Sequence, residues 1–423
     1  MNTATSLGPR ALFLRVYLPF AGAYFLSYLY RTVNAVVGPV IAEDLQLSAS
    51  DLGLLSAAYF IMFSAIQLPL GIALDRFGPR RVQTCLLLVA ALGAALFGLG
   101  TSLPELAFGR VLIGLGVSAG LMGSLKIITL WFPAPQWPLM NGLLMAAGGL
   151  GSLTATAPSQ AALGIMSWHS LFFWLSGITV GVASLVWLAA PEKPAPAVTD
   201  SWGTQIQAVG RIARDGYFWR ILPVFAMQQA SFISVQTLWV GPWLRDVVGQ
   251  DAGTRATSML LIALAMTLGF LTSGMASGLL RRAGLSNTAT ANGAMIIFLV
   301  CSIGLAVASM GISVGVPVLA VWCVFAFFGT YSILYFPVLT AAFPVDLSGR
   351  VTTSANFIMF GMIFFLQWGI GRVLDFWPRT ATGGYAPDGY AISFLVLTVY
   401  QVLGLGWLFL SRARPLSEQA ATR

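Results

Sequence analysis

Two apolar runs are joined by Gly71-Ile72-Ala73-Leu74-Asp75-Arg76-Phe77-Gly78-Pro79-Arg80-Arg81, a segment with three arginines, one aspartate and two glycines. The runs on either side, 51–73 and 82–100, each approach the ~20 residues a helix needs to cross roughly 30 Å of hydrocarbon. A tight, basic connection between two such runs reads as a hairpin turned at a membrane surface. Composition agrees: 57% of the 423 residues are hydrophobic, 9% are charged, and mean hydropathy is +0.83. A water-soluble domain carries about a quarter charged residues, so this chain could not cover its surface in water.

The pattern continues outward in both directions. Apolar spans are expected at 15–39, 51–73, 82–100, 104–130, 141–163, 171–190, 219–244, 257–279, 288–310, 313–342, 352–376 and 389–411. Backbone groups in lipid must pair within their own segment, so these are helices and the chain is an all-α membrane protein of twelve spans. The run at 141–163 is rich in glycine, and the one at 313–342 is longer than a span requires.

Lysine and arginine set the expected orientation. With the N-terminus inside, the cytoplasmic segments hold Arg10, Arg15, Arg76, Arg80, Arg81, Lys193, Arg211, Arg214, Arg220, Arg281, Arg282, Arg350, Arg412, Arg414 and Arg423. The opposite side holds Arg245, Arg255, Arg372 and Arg379. Both termini are therefore expected in the cytoplasm, in a bacterial inner (plasma) membrane. The net charge of +8 reflects this topology and the anionic lipid surface; no nucleic-acid partner is implied. The first fourteen residues are polar and basic with no cleavage site, so the first span is expected to be retained. Cys85, Cys301 and Cys323 fall in separate spans and His169 is the only histidine. That pattern offers no disulfide framework and no metal site, and no cofactor is expected.

The longest polar stretch between spans is 191–218, opening Pro191-Glu192-Lys193-Pro194-Ala195-Pro196, a stiff extended linker followed by a basic surface segment. It divides the chain into a six-helix bundle at 1–190, a cytoplasmic linker at 191–218 and a second six-helix bundle at 219–423. This plan, with the loop quoted above, resembles the major facilitator superfamily. The loop matches that family's signature Gly-x-x-x-Asp-Arg-x-Gly-x-Arg-Arg at Gly71, Asp75, Arg76, Gly78, Arg80 and Arg81. Arg110-x-x-x-Gly114-x-Gly116 resembles its fourth-helix motif. Gly274 with Arg281-Arg282 is a decayed second copy of the loop, and Gly349-Arg350 matches the corresponding place in the second half. The resemblance implies two pseudo-symmetric bundles, a cytoplasmic gate at these loops and transport by alternating access. Glycines in the loop would allow a tight turn and close helix approach, and Asp75 could sit at the N-terminus of a neighbouring helix.

Ionisable residues inside spans are the natural pointers to a substrate site. Every carboxylate falls near a span end or in a loop, whereas Arg31, Arg110 and Lys126 fall within spans. A buried cation without an acid is costly, and an anion that visits the site relieves that cost. Tyr24, Ser27, Tyr28, Arg31, Asn34 and Gly38 follow helical spacing and give the first span one polar stripe. A guanidinium there can grip a carboxylate, sulfonate or phosphate with two parallel hydrogen bonds. Tyr28-Leu-Tyr-Arg31-Thr-Val-Asn34 also resembles the first helix of anion–cation symporters, the sialin-like and sugar-acid carriers. Those carriers have a glutamate after the fourth-helix Gly-x-Gly, where this chain has Val117, which leaves a carboxylate-based proton relay in doubt. Arg110 sits near the outer start of its span. Lys126 lies ~160° around the same helix from Arg110, close to the cytoplasmic end.

The second half is expected to supply Gln229, Gln236 and Trp239 from span 7, Tyr331 and Tyr335 from span 10 and Asn356 from span 11, amides and rings that could orient and cover a ligand. The expected function is secondary transport of a small organic or inorganic anion by a monomer in the bilayer, not enzymatic catalysis. Two alternatives are efflux of a lipophilic or zwitterionic compound and a carrier-like sensor or scaffold that no longer transports.

Overall fold

The computed structural model describes residues 8–192, 202–344, 347–381 and 383–411. Lys193, Arg412, Arg414 and Arg423, named above for orientation, and most of the Pro-rich start of the linker lie outside the described residues. Among the described residues there are no strands.

The chain runs back and forth as α1 (Pro9–Thr32, continuing as Asn34–Asp44), α2 (Ala49–Ala65 and Gln67–Phe77), α3 (Pro79–Leu99), α4 (Leu103–Trp131), α5 (Trp137–Thr154 and Ala157–Leu163), α6 (Trp168–Ala189), α7 (Gly216–Asp246), α8 (Ala252–Arg282), α9 (Asn287–Ser309), α10 (Val318–Thr340), α11 (Ser348–Leu374) and α12 (Pro387–Leu410). A short linker helix, Trp202–Ala213, precedes α7. Ten of these helices are long and apolar enough to span a membrane unbroken, and α2 makes eleven when its two pieces, bent by 51°, count as one. The twelfth is the glycine-rich α5, which breaks at Ala155–Thr156. The result is an all-α membrane protein of twelve helices in two six-helix bundles.

Helix starts explain where the acids went. The Asp51 carboxylate accepts the Ser48 amide at the head of α2 (3.1 Å) while Ser48 Oγ accepts the Asp51 amide (3.0 Å). Asp215 takes the Phe218 amide at the head of α7, and Asp251 takes those of Gly253 and Thr254 at the head of α8. Carboxylates there satisfy free amides and complement the helix dipole, which places them at span ends.

Besides the breaks in α1 and α5, three more helices depart from regular α-geometry where the bundles meet. A π-turn interrupts α7 at Val235–Trp239, a 3-10 turn interrupts α10 at Thr330–Leu334, and α2 bends at Ile66. The end of the molecule bearing the Gly78 turn and the linker is called the linker end below; Ser48 and Asp375 mark the far end. At the far end the bundles are pressed together. A Cβ added at Gly53 of α2 would lie 2.8 Å from the Gln367 carbonyl of α11, and one at Gly371 of α11 would overlap the Ala49 carbonyl. Asp375, just past α11, accepts the amides of both Ala49 and Ser50 at the head of α2, each at 2.9 Å. A carboxylate at a neighbouring helix N-terminus is thus present, but it is Asp375 across the bundles at the far end rather than Asp75.

Candidate functional site

A cavity of about 520 Å³ lies between the bundles. It reaches from Arg31, midway along α1, toward Asn141 of α5, Thr340 of α10 and Thr352 of α11 at the linker end. Among the described residues Arg31 is its one charged lining residue, and no carboxylate lines it. The guanidinium carbon sits 4.8 Å from the Tyr28 ring centroid, 5.2 Å from Phe63 and 5.4 Å from Phe360. Arg31 Nε is buried without a hydrogen-bond partner, and among the described residues no ion pair involves Arg31. Ring faces offset part of the cost of burying the cation; they do not neutralise it.

Of the other expected site residues, Tyr28, Gln229 and Asn356 line this cavity. Gln236 lines a small recess of about 10 Å³ on the far side of Arg31, with Thr32 and Gln229. Asn34 is buried with an unpartnered Oδ1 and belongs to neither lining.

Five expected residues are placed elsewhere. Lys126 Nζ is 2.5 Å from Asp75 Oδ1, so this cation has its acid and does not line the cavity. Helical phase hid the pairing, because the partners are on α4 and α2. Arg110 is fully buried inside the first bundle, donating from Nη1 to the Tyr30 carbonyl at 2.9 Å and lying 5.2 Å from the Phe97 ring. Trp239 donates to the Gln367 carbonyl at 3.1 Å, because the π-turn rotates it into the far-end closure. Tyr335 donates to Asn292 Oδ1 of α9, and Tyr331 packs on Phe327 and Phe328. The 3-10 turn advances three residues per turn and presents Ile333, Phe336, Pro337 and Thr340 to the cavity instead.

Reasoning from sequence missed Gln67 and Asn141, both lining residues with an unpartnered buried oxygen. Gln67 stands just after the α2 bend and donates to the Phe63 carbonyl at 3.3 Å. Its signal was an amide inside an apolar run, two residues before Pro69.

The signature loop braces the first bundle in this conformation. Gly78 has φ +80°, a left-handed turn that glycine adopts without strain. Gly71 and Gly349 face open space, so the close approach expected at Gly71 is not made. Arg80 donates to the Trp187 carbonyl at the end of α6 and stacks 4.7 Å over its ring, and Arg81 pairs with Glu192 at 2.6 Å. Arg76 lies over its neighbour Phe77, and Arg350 stands in the first turn of α11. Asp75–Lys126 is a partly exposed pair, and such pairs contribute little. Lys126→Met is therefore expected to cost no more than about 1 kcal/mol, read as a small fall in melting point in detergent, and to leave ligand affinity at the cavity unchanged.

The comparisons with known proteins agree with this architecture. A family model described as Major Facilitator Superfamily matches residues 20–367. The Probable sulfoacetate transporter SauU of Cupriavidus necator is 26% identical over 158 residues, 37% of either chain. The hexuronate transporter of Escherichia coli K12 is 25% identical over 275 residues, 61% of this chain and 63% of that protein. The match thus spans less than two thirds of these relatives' own length. A solved bacterial homologue of the human lysosomal transporter Spinster, inward-facing and unoccupied, superposes with a TM-score of 0.74 at 18% identity, covering 96% of this chain and 98% of that one. Twelve helices in two bundles, the signature loop at their turn and a family match over most of the length converge: the chain belongs to the Major Facilitator Superfamily.

Proposed function

We propose that this transporter moves a small organic or inorganic anion by alternating access, with Arg31 as the principal counter-charge. The observation that carries the reading is a cavity between the bundles whose lining, among the described residues, holds one guanidinium and no acid. An anion supplies the charge this site lacks. The names of the relatives, a sulfoacetate and a hexuronate transporter, support the same class. Gln229 and Asn356 would orient the ligand from the second bundle.

The distribution of Lys and Arg supports a cytoplasmic linker end. The cavity then extends toward the cytoplasm while the far end is shut. The moving bodies would be 1–190 and 219–423, joined by 191–218, and the signature loop with Gly349 and Arg350 would engage only when the linker end closes. Counterflow into proteoliposomes, run against a panel of anions with Arg31→Ala alongside, tests the reading. Uptake of neutral or cationic compounds that is indifferent to Arg31→Ala would reject it.

A second reading has one observation in its favour. Much of the cavity wall is apolar, including Phe225, Phe270, Phe336 and Met359, which suits efflux of a lipophilic or zwitterionic compound. Saturable uptake of that compound by everted vesicles, unaffected by Arg31→Ala, would support it.

The shut far end gives a further prediction. Asp375→Asn removes a charge from the head of α2, an interaction worth about 0.3–1 kcal/mol and up to ~2 kcal/mol when partly buried. The equilibrium is expected to move roughly fivefold toward the far-end-open form. Labelling of Gln236→Cys from the far side, with the native cysteines replaced, reads this directly; an unchanged rate would remove Asp375 from the closure.

A further inference from the structure

The charge and the walls of the cavity make different demands on a ligand. Among the described residues Arg31 is the one charged residue in the lining, so one negative charge is balanced there and a second would remain in a mainly apolar cavity. Rings of Tyr28, Phe63 and Phe360 stand around the guanidinium, and Ile233, Phe270 and Met359 extend the apolar wall beside it. A small inorganic ion would touch little of that wall. The polyol body of a sugar acid would surrender more water to it than the scattered amides of the lining, Gln67, Asn141, Gln229 and Asn356, could replace. An apolar body gains by covering it.

Resting on the anion reading above, we infer that the preferred substrate is a monovalent carboxylate or sulfonate carrying an apolar body, and that the site disfavours dianions and polyhydroxylated acids. Arg31 holds the headgroup through its N–H edges. The body lies along the rings of Phe63 and Phe360, which touch each other across the two bundles at 4.4 Å between centroids, so it packs on a contact that joins the two halves. A volume of about 520 Å³ falls in the range that encloses small organic ligands.

The test is thermal stabilisation of the full chain in detergent by n-alkanesulfonates of increasing length, which stay ionised at neutral pH. A ligand that prefers the folded state raises the melting point by an amount set by ln(1 + L/Kd), where L is the ligand concentration, so each series of concentrations yields a Kd, the half-saturating concentration. Burial of one methylene is worth ~0.8 kcal/mol, so half-saturating concentration is expected to fall about threefold to fourfold per added carbon. Gluconate, with a five-carbon polyol body, and hexane-1,6-disulfonate, with a six-carbon body, are expected to need at least tenfold more than hexanesulfonate. Arg31→Ala should remove the stabilisation, and Arg31→Lys, which keeps the charge, should preserve the dependence on length. A flat series, or tighter binding of gluconate or the disulfonate, would overturn the inference and leave the anion reading standing. No stabilisation of the wild type by any of these anions, or a length dependence that persists in Arg31→Ala, would bring down both.

Discussion

Arg31→Ala is expected to abolish saturable anion transport, with at least a thirtyfold loss of affinity. Truncating one partner of a buried charge pair commonly costs 2–5 kcal/mol or more, and about 2 kcal/mol is already thirtyfold. Here no neighbouring cation can take over, because among the described residues the cavity lining contains no other charge. Arg110 is enclosed within the first bundle and Lys126 is held by Asp75. Arg31→Lys should do better, at roughly a tenfold loss, since an ammonium keeps the charge but not the paired N–H geometry. The protein should fold in both cases: Arg31→Ala removes an unpaired buried cation and relieves a desolvation cost, and Arg31→Lys leaves the charge as it was. Equilibrium binding and counterflow on the same preparations check the expectation; wild-type affinity in Arg31→Ala would end the anion reading.

The second large effect concerns the far end. Gly371→Val places side-chain atoms where the Ala49 carbonyl now lies. Backbone on both sides of that contact belongs to well-formed helices, so neither can yield by a side-chain rotation. If the bundles separate there during each cycle, the substitution is compatible with the separated form and incompatible with the shut one. Transport is expected to fall at least tenfold, and Gln236→Cys is expected to label freely from the far side. The melting point should stay within a few degrees of wild type, because packing inside each bundle is untouched. Gly114→Val is the contrasting case: its new atoms meet the Tyr59 carbonyl inside the first bundle, where overpacking costs about 1–3 kcal/mol or more. That variant should lose folded yield. If Gly371→Val and Gly114→Val behave alike, the far-end contact is ordinary structural packing and not a moving interface.

Much of the fold could be read from hydropathy because lipid leaves so few options for an apolar run of about twenty residues. Reading α5 as one glycine-rich span and α10 as one overlong span missed their breaks, since a broken helix keeps the composition of a straight one. The site was legible to the extent that charge announces itself. Arg31 stands out in an apolar run, and the phase of α1 put Tyr28 beside it. Residues assigned by phase on interrupted helices fared worse. Trp239 turns away at the π-turn of α7, while Tyr331 and Tyr335 turn away at the 3-10 turn of α10. Gln67 sits where α2 bends, a geometry that composition does not announce. The Lys126–Asp75 pair joins residues on two helices 51 positions apart, and nothing local in the sequence links them.

An unbalanced guanidinium at bilayer depth also determines which half of the proposed cycle responds to voltage. With a monoanion seated, the centre carries no net charge and its reorientation is nearly indifferent to the membrane potential. Empty, it carries one positive charge, for which a full crossing would amount to ~2.3 kcal/mol per 100 mV. Potential therefore acts on the return of the vacant carrier, so one-for-one swapping of anions should proceed almost unaltered across voltages that slow or speed net flux.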